Sequence, residues 1–148
     1  MKTSILIAVF FLTSMNAATA ENSETNKRLY QSCSGCHGVN GEGNESLNAP
    51  ALSIFSTWYL ERQIRSFNEG LRENHPGGDL LSINDEDIQP LADYIAEKTS
   101  VSSKPTIQGD IERGEFVYQH CLSCHGEFAE GDEDVRTPRL SGQYDWYL

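Results

Sequence analysis

Methionine is almost absent from this 148-residue chain, and basic residues are few. Both methionines, Met1 and Met15, lie in the first 20 residues. Lysine and arginine number 11 against 22 aspartates and glutamates, which gives a formal net charge of −11. Nucleic acid and anionic lipid repel so acidic a chain, so we exclude them as partners and expect partners with basic surfaces. Apart from one run near the N-terminus, no segment is apolar enough to cross a bilayer.

Residues 1–20 have the order of a secretory signal peptide. Lys2 supplies the positive charge, residues 5–12 form an apolar run, and Ala18-Thr19-Ala20 gives a cleavage site between small residues. The run is much shorter than the ~20 residues that a membrane span needs, although a retained anchor is the alternative. We therefore expect export to the periplasm, cleavage after Ala20, and a mature chain without methionine or a membrane span.

The sequence contains one pattern twice, in the same register and without gaps, at an offset of 88 residues. The recurring residues include Tyr30 and Tyr118, Cys33 and Cys121, Cys36 and Cys124, His37 and His125, Gly43 and Gly131, Pro50 and Pro138, and Trp58-Tyr59-Leu60 and Trp146-Tyr147-Leu148. We call these copy one and copy two. A Ser-rich stretch at 100–106 separates them and predicts a linker. We expect domains at 21–102 and 103–148, the second incomplete because copy two has no counterpart of the residues after Leu60.

The patterning favours helices throughout. A helix is expected to lead into each Cys pair, starting near Thr25 and Asp110, and a Gly-rich loop is expected at 38–48. Thr57 is a candidate cap for a helix with one apolar face (Leu60, Ile64, Phe67). Asn84 and Asp87 resemble a capping box before a second apolar face (Ile88, Leu91, Ala92, Ile95), in a helix that Pro90 should kink slightly. No segment alternates like a strand, so we predict an all-α fold.

Each copy carries the motif Cys-x-x-Cys-His, which is the attachment site of c-type haem. Two cysteines at this spacing can reach the two vinyl groups of one porphyrin, and the histidine can then meet the iron. The motif residues are Cys33, Cys36 and His37 in copy one, and Cys121, Cys124 and His125 in copy two. A thioredoxin-like pair, a zinc site and plain disulfides are the alternatives. A thioredoxin-like pair would need a nearby βαβ unit, zinc does not explain a histidine after both pairs, and disulfides explain neither the spacing nor the duplication.

The surrounding residues resemble those of class I cytochromes c. Copy one matches in Cys33-Ser34-Gly35-Cys36-His37-Gly38, Gly41-Glu42-Gly43 and Asn48-Ala49-Pro50-Ala51-Leu52, and the stretches around 58–72 and 85–95 look like the tandem dihaem subclass. This resemblance implies two covalent haem c groups, His37 and His125 as proximal iron ligands, and Pro50 and Pro138 as acceptors that orient them. It also implies porphyrin packing by Leu52, Trp58, Tyr59 and Tyr94, which are equally good core residues. Arg72 could meet a haem propionate, although an exposed arginine is the better interpretation.

The distal side of the iron departs from the family. Such cytochromes normally place a methionine there, and the expected mature chain has none. For the first haem, His75 is a candidate distal ligand; another group, water or an open site is the alternative. His120 adjoins Cys121 and is interpreted as a surface residue. Because methionine raises a haem's potential relative to histidine, its loss predicts a lower potential than the family norm.

These features predict a periplasmic dihaem electron carrier that serves redox protein partners, as donor to or subunit of a terminal oxidase or other oxidoreductase. No set of residues suggests acid, base or nucleophilic catalysis, and Asp85-Glu86-Asp87 fits the start of a helix. A haem-based gas sensor or a peroxidase-like dihaem enzyme is the alternative, because an open iron site could bind small ligands.

Overall fold

A computed structural model describes residues 23–72, 75, 82–99 and 105–148. Within these ranges the chain is helical and contains no named strand, which confirms the all-α prediction. The elements are α1 (residues 23–37), a short 3-10 helix (Glu45–Leu47), α2 (Thr57–Asn68), α3 (Asp85–Ala96), α4 (Ile111–Tyr118) and α5 (Leu122–His125). None of the described helices is long and apolar enough to cross a membrane.

The core lies in copy one, where α2 and α3 pack together beside α1. Ile88 and Leu91 of α3 are fully buried, as the apolar spacing of that helix predicts. They share one cluster with Tyr30, Leu60, Ile64, Ile83, Ala92 and Ile95. Pro90 lies inside α3, which continues through it to Ala96. This cluster fixes α1, and with it the first Cys-x-x-Cys-His motif.

The helix starts differ in detail from the predictions. Ser56, not Thr57, occupies the N-cap of α2 and makes no side-chain cap bond, so that prediction was wrong by one residue. Asn84 is the N-cap of α3, but its side-chain nitrogen donates to the Asp87 carboxylate at 3.2 Å, so no capping box forms. Asp110 caps α4 as predicted in position, accepting from the Arg113 N–H at 3.0 Å.

The helix before the second Cys pair is interrupted, whereas a helix leading into the pair was predicted. In copy one α1 runs through both cysteines to His37; in copy two α4 ends at Tyr118 and α5 begins only at Leu122. Packing explains the difference, because helices in proteins are held mainly by their buried faces. Leu29 of α1 packs against the core, whereas its counterpart Val117 is 52% exposed.

Two predictions fall outside the described residues. The signal peptide at 1–20 is one, and the domain boundary near residue 102 is the other.

Two candidate haem sites

The imidazole of His37 is held in a state suited to bind a metal. His37 ends α1 and is only 8% exposed, and its Nδ1 lies 2.8 Å from the carbonyl oxygen of Pro50. A carbonyl can only accept, so Nδ1 carries the hydrogen and Nε2 keeps the lone pair that a metal needs. Burial also lowers the pKa of His37, which keeps the ring neutral at pH 7.

Copy two repeats the arrangement at the end of α5. The Nδ1 of His125 lies 2.9 Å from the carbonyl oxygen of Pro138. The same reasoning assigns a hydrogen to Nδ1, which leaves Nε2 as the nitrogen that faces away from the carbonyl. The proline acceptors that the family resemblance implies are thus found beside both histidines.

The loops that hold these histidines match bond for bond. Each histidine carbonyl accepts from a glycine N–H, each helix tyrosine donates to the glycine after the histidine, and each loop is closed by one isolated β-bridge. The pairs are Gly43 to His37 and Gly131 to His125 (both 2.8 Å), Tyr30 to Gly38 (2.6 Å) and Tyr118 to Gly126 (2.7 Å), and the bridges Asn44–Ala49 and Asp132–Thr137. The duplicated sequence therefore builds one local structure twice.

All four cysteines are free thiols, which argues against the disulfide alternative. Cys33 and Cys121 are half-buried, whereas Cys36 and Cys124 are exposed. Burial raises the pKa of the Cys33 thiol. The part of the chain that the structure describes contains no group of three or more His, Cys, Asp or Glu side chains that could hold a metal ion.

His75 lies beside His37. The two ring centroids are 6.1 Å apart and the ring planes are inclined by 21°. Phe67 of α2 contacts His75 edge-on, with centroids 4.6 Å apart. Burial and the nearby His37 and Arg72 lower the pKa of His75, which favours its neutral form. The predicted pair of histidines is therefore brought together.

The structure also describes the other residues that were predicted for the sites. Arg72 is exposed, lies 4.9 Å above the Phe67 ring and donates to Gln63 at 2.6 Å. The predicted packing residues Leu52, Trp58, Tyr59 and Tyr94 are all half-buried. His120 is exposed, as predicted, but it lies in the turn between α4 and α5 and not on a helix surface.

Two buried side chains of copy two lie near the sites; Trp146 was noted in the sequence as part of the repeat, whereas Gln143 was not singled out. The Gln143 side chain is buried against the backbone of Ala51 in copy one. The indole Nε1 of Trp146 is buried and has no hydrogen-bond partner, unlike every other buried side-chain nitrogen or oxygen of the described residues. A buried donor of this kind suits an acidic group such as a haem propionate, so the residues present fit a haem.

Two histidines, each oriented by a proline carbonyl and preceded by two free thiols, are the arrangement expected of a protein that holds two c-type haem groups. The cytochrome c family model matches residues 23–98 and 111–148. The chain belongs to the cytochrome c family, and its two segments carry two covalently bound haem c groups.

The relatives are dihaem and electron-transfer proteins. A thiosulfate dehydrogenase electron acceptor of Thiomonas intermedia is 31% identical over 79% of this chain and 59% of that protein. Cytochrome c4 of Stutzerimonas stutzeri is 34% identical over 88% of this chain and 70% of that protein. The crystal structure of reduced cytochrome c4 from Pseudomonas stutzeri has a TM-score of 0.72 at 22% identity, and covers 84% of this chain and 75% of its own; it supports the fold.

The chain spans between two fifths and three fifths of the length of the first curated relatives that it matches. The two matched segments and the likeness to cytochrome c4 show a tandem class I arrangement.

Proposed function

We propose that this protein is a periplasmic dihaem cytochrome that passes electrons between redox partners. The observation that carries the proposal is the duplicated bond between a histidine Nδ1 and a proline carbonyl, at His37 and at His125. In this proposal the two copies are domains at 21–102 and 103–148, and each holds one haem.

The residues of each motif have separate roles. Cys33 and Cys36 hold the first haem, and Cys121 and Cys124 hold the second. Each thiol would form one thioether bond to a vinyl group of its haem, with the thiol hydrogen going to the other vinyl carbon. Bound haem supplies the one-electron couple of its iron, while the protein sets the axial ligands, the burial and the hydrogen bonds around it.

His75 is the distal ligand of the first haem in this proposal. A bond from a metal to an imidazole nitrogen is about 2 Å long, so two rings on opposite sides of one metal have centres roughly 6 to 6.5 Å apart. The 6.1 Å between the rings of His37 and His75 agrees with that spacing. Histidine in place of methionine should lower the reduction potential of this haem.

The partner is proposed from charge and from the relatives. The net charge of −11 favours a partner with a basic docking surface. One relative is named as the electron acceptor of thiosulfate dehydrogenase, so an oxidoreductase of that type is a candidate donor. A terminal oxidase is a candidate acceptor. The signal-like segment at 1–20 supports export to the periplasm.

The decisive experiment is the visible spectrum of the reduced, haem-loaded protein before and after addition of carbon monoxide, with His75→Ala as the variant. We expect sharp c-type bands and a haem count of two. Carbon monoxide should give a larger band shift with His75→Ala than with the parent protein, because the variant opens the first iron. His120→Ala is the matched control and should behave like the parent.

The outcomes separate the alternatives. If no haem attaches in a host competent to attach it, the proposal fails. If His75→Ala matches the parent protein, His75 is not the ligand. Strong carbon monoxide binding at both irons of the parent would favour a gas sensor, and peroxide turnover would favour the peroxidase-like enzyme.

A further inference from the structure

The side chain of Gln143, in copy two, makes two hydrogen bonds to the backbone of one residue of copy one, Ala51. Its Oε1 accepts from the Ala51 N–H at 3.0 Å, and its Nε2 donates to the Ala51 carbonyl at 2.9 Å. The same Oε1 accepts from the Tyr144 N–H at 3.0 Å. Two N–H donors pointing at one atom identify it as the amide oxygen, so the orientation of this amide is fixed. Gln143 is 5% exposed and Ala51 is 2% exposed, so little water competes for these bonds.

The Ala51 N–H that donates to Gln143 belongs to the same peptide group whose carbonyl orients His37. The Ala51 N–H and the Pro50 carbonyl are the two ends of one planar peptide, and the Pro50 oxygen accepts from the Nδ1 of His37 at 2.8 Å. The hydrogen bonds therefore run in series from Gln143, through this peptide, to His37. An acceptor on the N–H end increases the negative charge on the oxygen end, so the bond to His37 becomes stronger.

We propose that Gln143 is a positioning residue through which copy two lowers the reduction potential of the haem on His37. A stronger acceptor at Nδ1 makes the imidazole a better electron donor to a metal on Nε2, which stabilises oxidised iron. The inference rests on the proposed function, since it requires haem iron on His37.

The peptide that orients His125 in copy two has no equivalent of the Gln143 side chain at the matching position of the repeat. At the register of Gln143, copy one has Phe55, whose side chain has no group that accepts a hydrogen bond. The counterpart of Ala51 is Arg139, which is exposed. The effect should therefore reach only one of the two haems.

The test is a redox titration of the haem-loaded protein with Gln143→Leu, a replacement of similar size without hydrogen-bonding groups. One of the two midpoint potentials should rise by about 20 to 60 mV, which corresponds to a two- to tenfold change in the redox equilibrium. The other should stay unchanged, and the Nδ1–H resonance of His37 should move in the NMR spectrum. Asp145→Asn is the matched control. This variant changes a residue that lies two positions from Gln143 and whose carboxylate accepts from the Thr106 and Ile107 N–H groups. It should leave both midpoint potentials unchanged.

A haem count on every variant separates the two proposals. An absence of covalent haem in the parent protein contradicts the proposed function. Two haems with unshifted potentials, with equal shifts of both, or with the same shift in Asp145→Asn overturn the role of Gln143. If Gln143→Leu does not fold, Gln143→Asn decides, because its shorter amide stays polar but cannot reach Ala51.

Discussion

Replacing Tyr30 with phenylalanine tests how much the duplicated tyrosine bond stabilises the first haem loop. The Tyr30 hydroxyl donates to the Gly38 carbonyl at 2.6 Å from a side chain that is 3% exposed. Phenylalanine keeps the ring, which packs edge-on against Tyr94 at 5.8 Å. The carbonyl also keeps a second donor, the Gly41 N–H at 3.2 Å, so it is not left without a partner.

The loss is therefore one net hydrogen bond, about 1 kcal/mol in the free energy of unfolding. For a domain of this size that lowers Tm by roughly 4–8 °C. The assay is urea unfolding of the haem-loaded protein, followed by far-ultraviolet circular dichroism, with an unchanged m-value. Tyr118→Phe is the built-in control. Its hydroxyl bond is the same, but its side chain is more exposed, so water replaces the bond and the loss should be smaller. Equal losses in both variants, or none in Tyr30→Phe, would refute the reasoning.

The same residue gives an alkaline signature. Burial, then the negative charges of Cys33 and Glu42, raise the pKa of Tyr30 above its usual 10. A raised pKa of an acid means that the stabilisation is complete below pH 10 and is lost as the pH rises further. The parent protein should therefore lose stability above pH 10 more steeply than Tyr30→Phe.

Three further predictions use other parts of the fold. Leu91→Ala should cost about 3 kcal/mol in urea unfolding, because Leu91 is fully buried in the core; a loss below 1 kcal/mol would show that the core can collapse around the gap. The backbone N–H donors of Ile107 and Thr106 lower the pKa of Asp145 to about 2, so this contact should hold above pH 4 and be lost as the pH falls through about 2. The Thr106 amide resonance should titrate there in the parent and not in Asp145→Asn. Ala129 has φ +55 and its counterpart Gly41 has φ +70, a left-handed backbone that favours glycine. Ala129→Gly should therefore raise the free energy of unfolding by about 0.5 kcal/mol or less, and Gly41→Ala should lower it. Thermal unfolding of the two variants checks both signs.

Local patterns in the sequence were enough to predict much of the candidate sites and one buried helix face. The repeat and the two motifs located His37 and His125, and the family resemblance added their proline acceptors. Helical spacing identified the buried face of α3, because an apolar stripe at that period has to face the core. Each of these features depends on residues that are close in sequence.

Features that depend on distant contacts were missed. The break between α4 and α5 results from what packs on each helix, which propensity does not contain. Gln143 could not be singled out, because its bond to Ala51 spans 92 positions and its register partner in copy one is apolar. The N-cap of α2 was misplaced by one residue because Ser56 and Thr57 are both good caps.

The short range of the bonds in each haem loop bears on the order of folding. The histidine bonds its proline 13 positions along the chain, and the tyrosine bonds its glycine 8 positions along. Closing such short loops takes well under a microsecond, whereas bringing α3 onto α1 requires a much longer closure. Each histidine can thus acquire its orientation while most of the chain is still unfolded. The local bonds around each histidine can then form before the core, whereas the bond from Gln143 to Ala51, which spans 92 positions, has to wait for the two copies to come together.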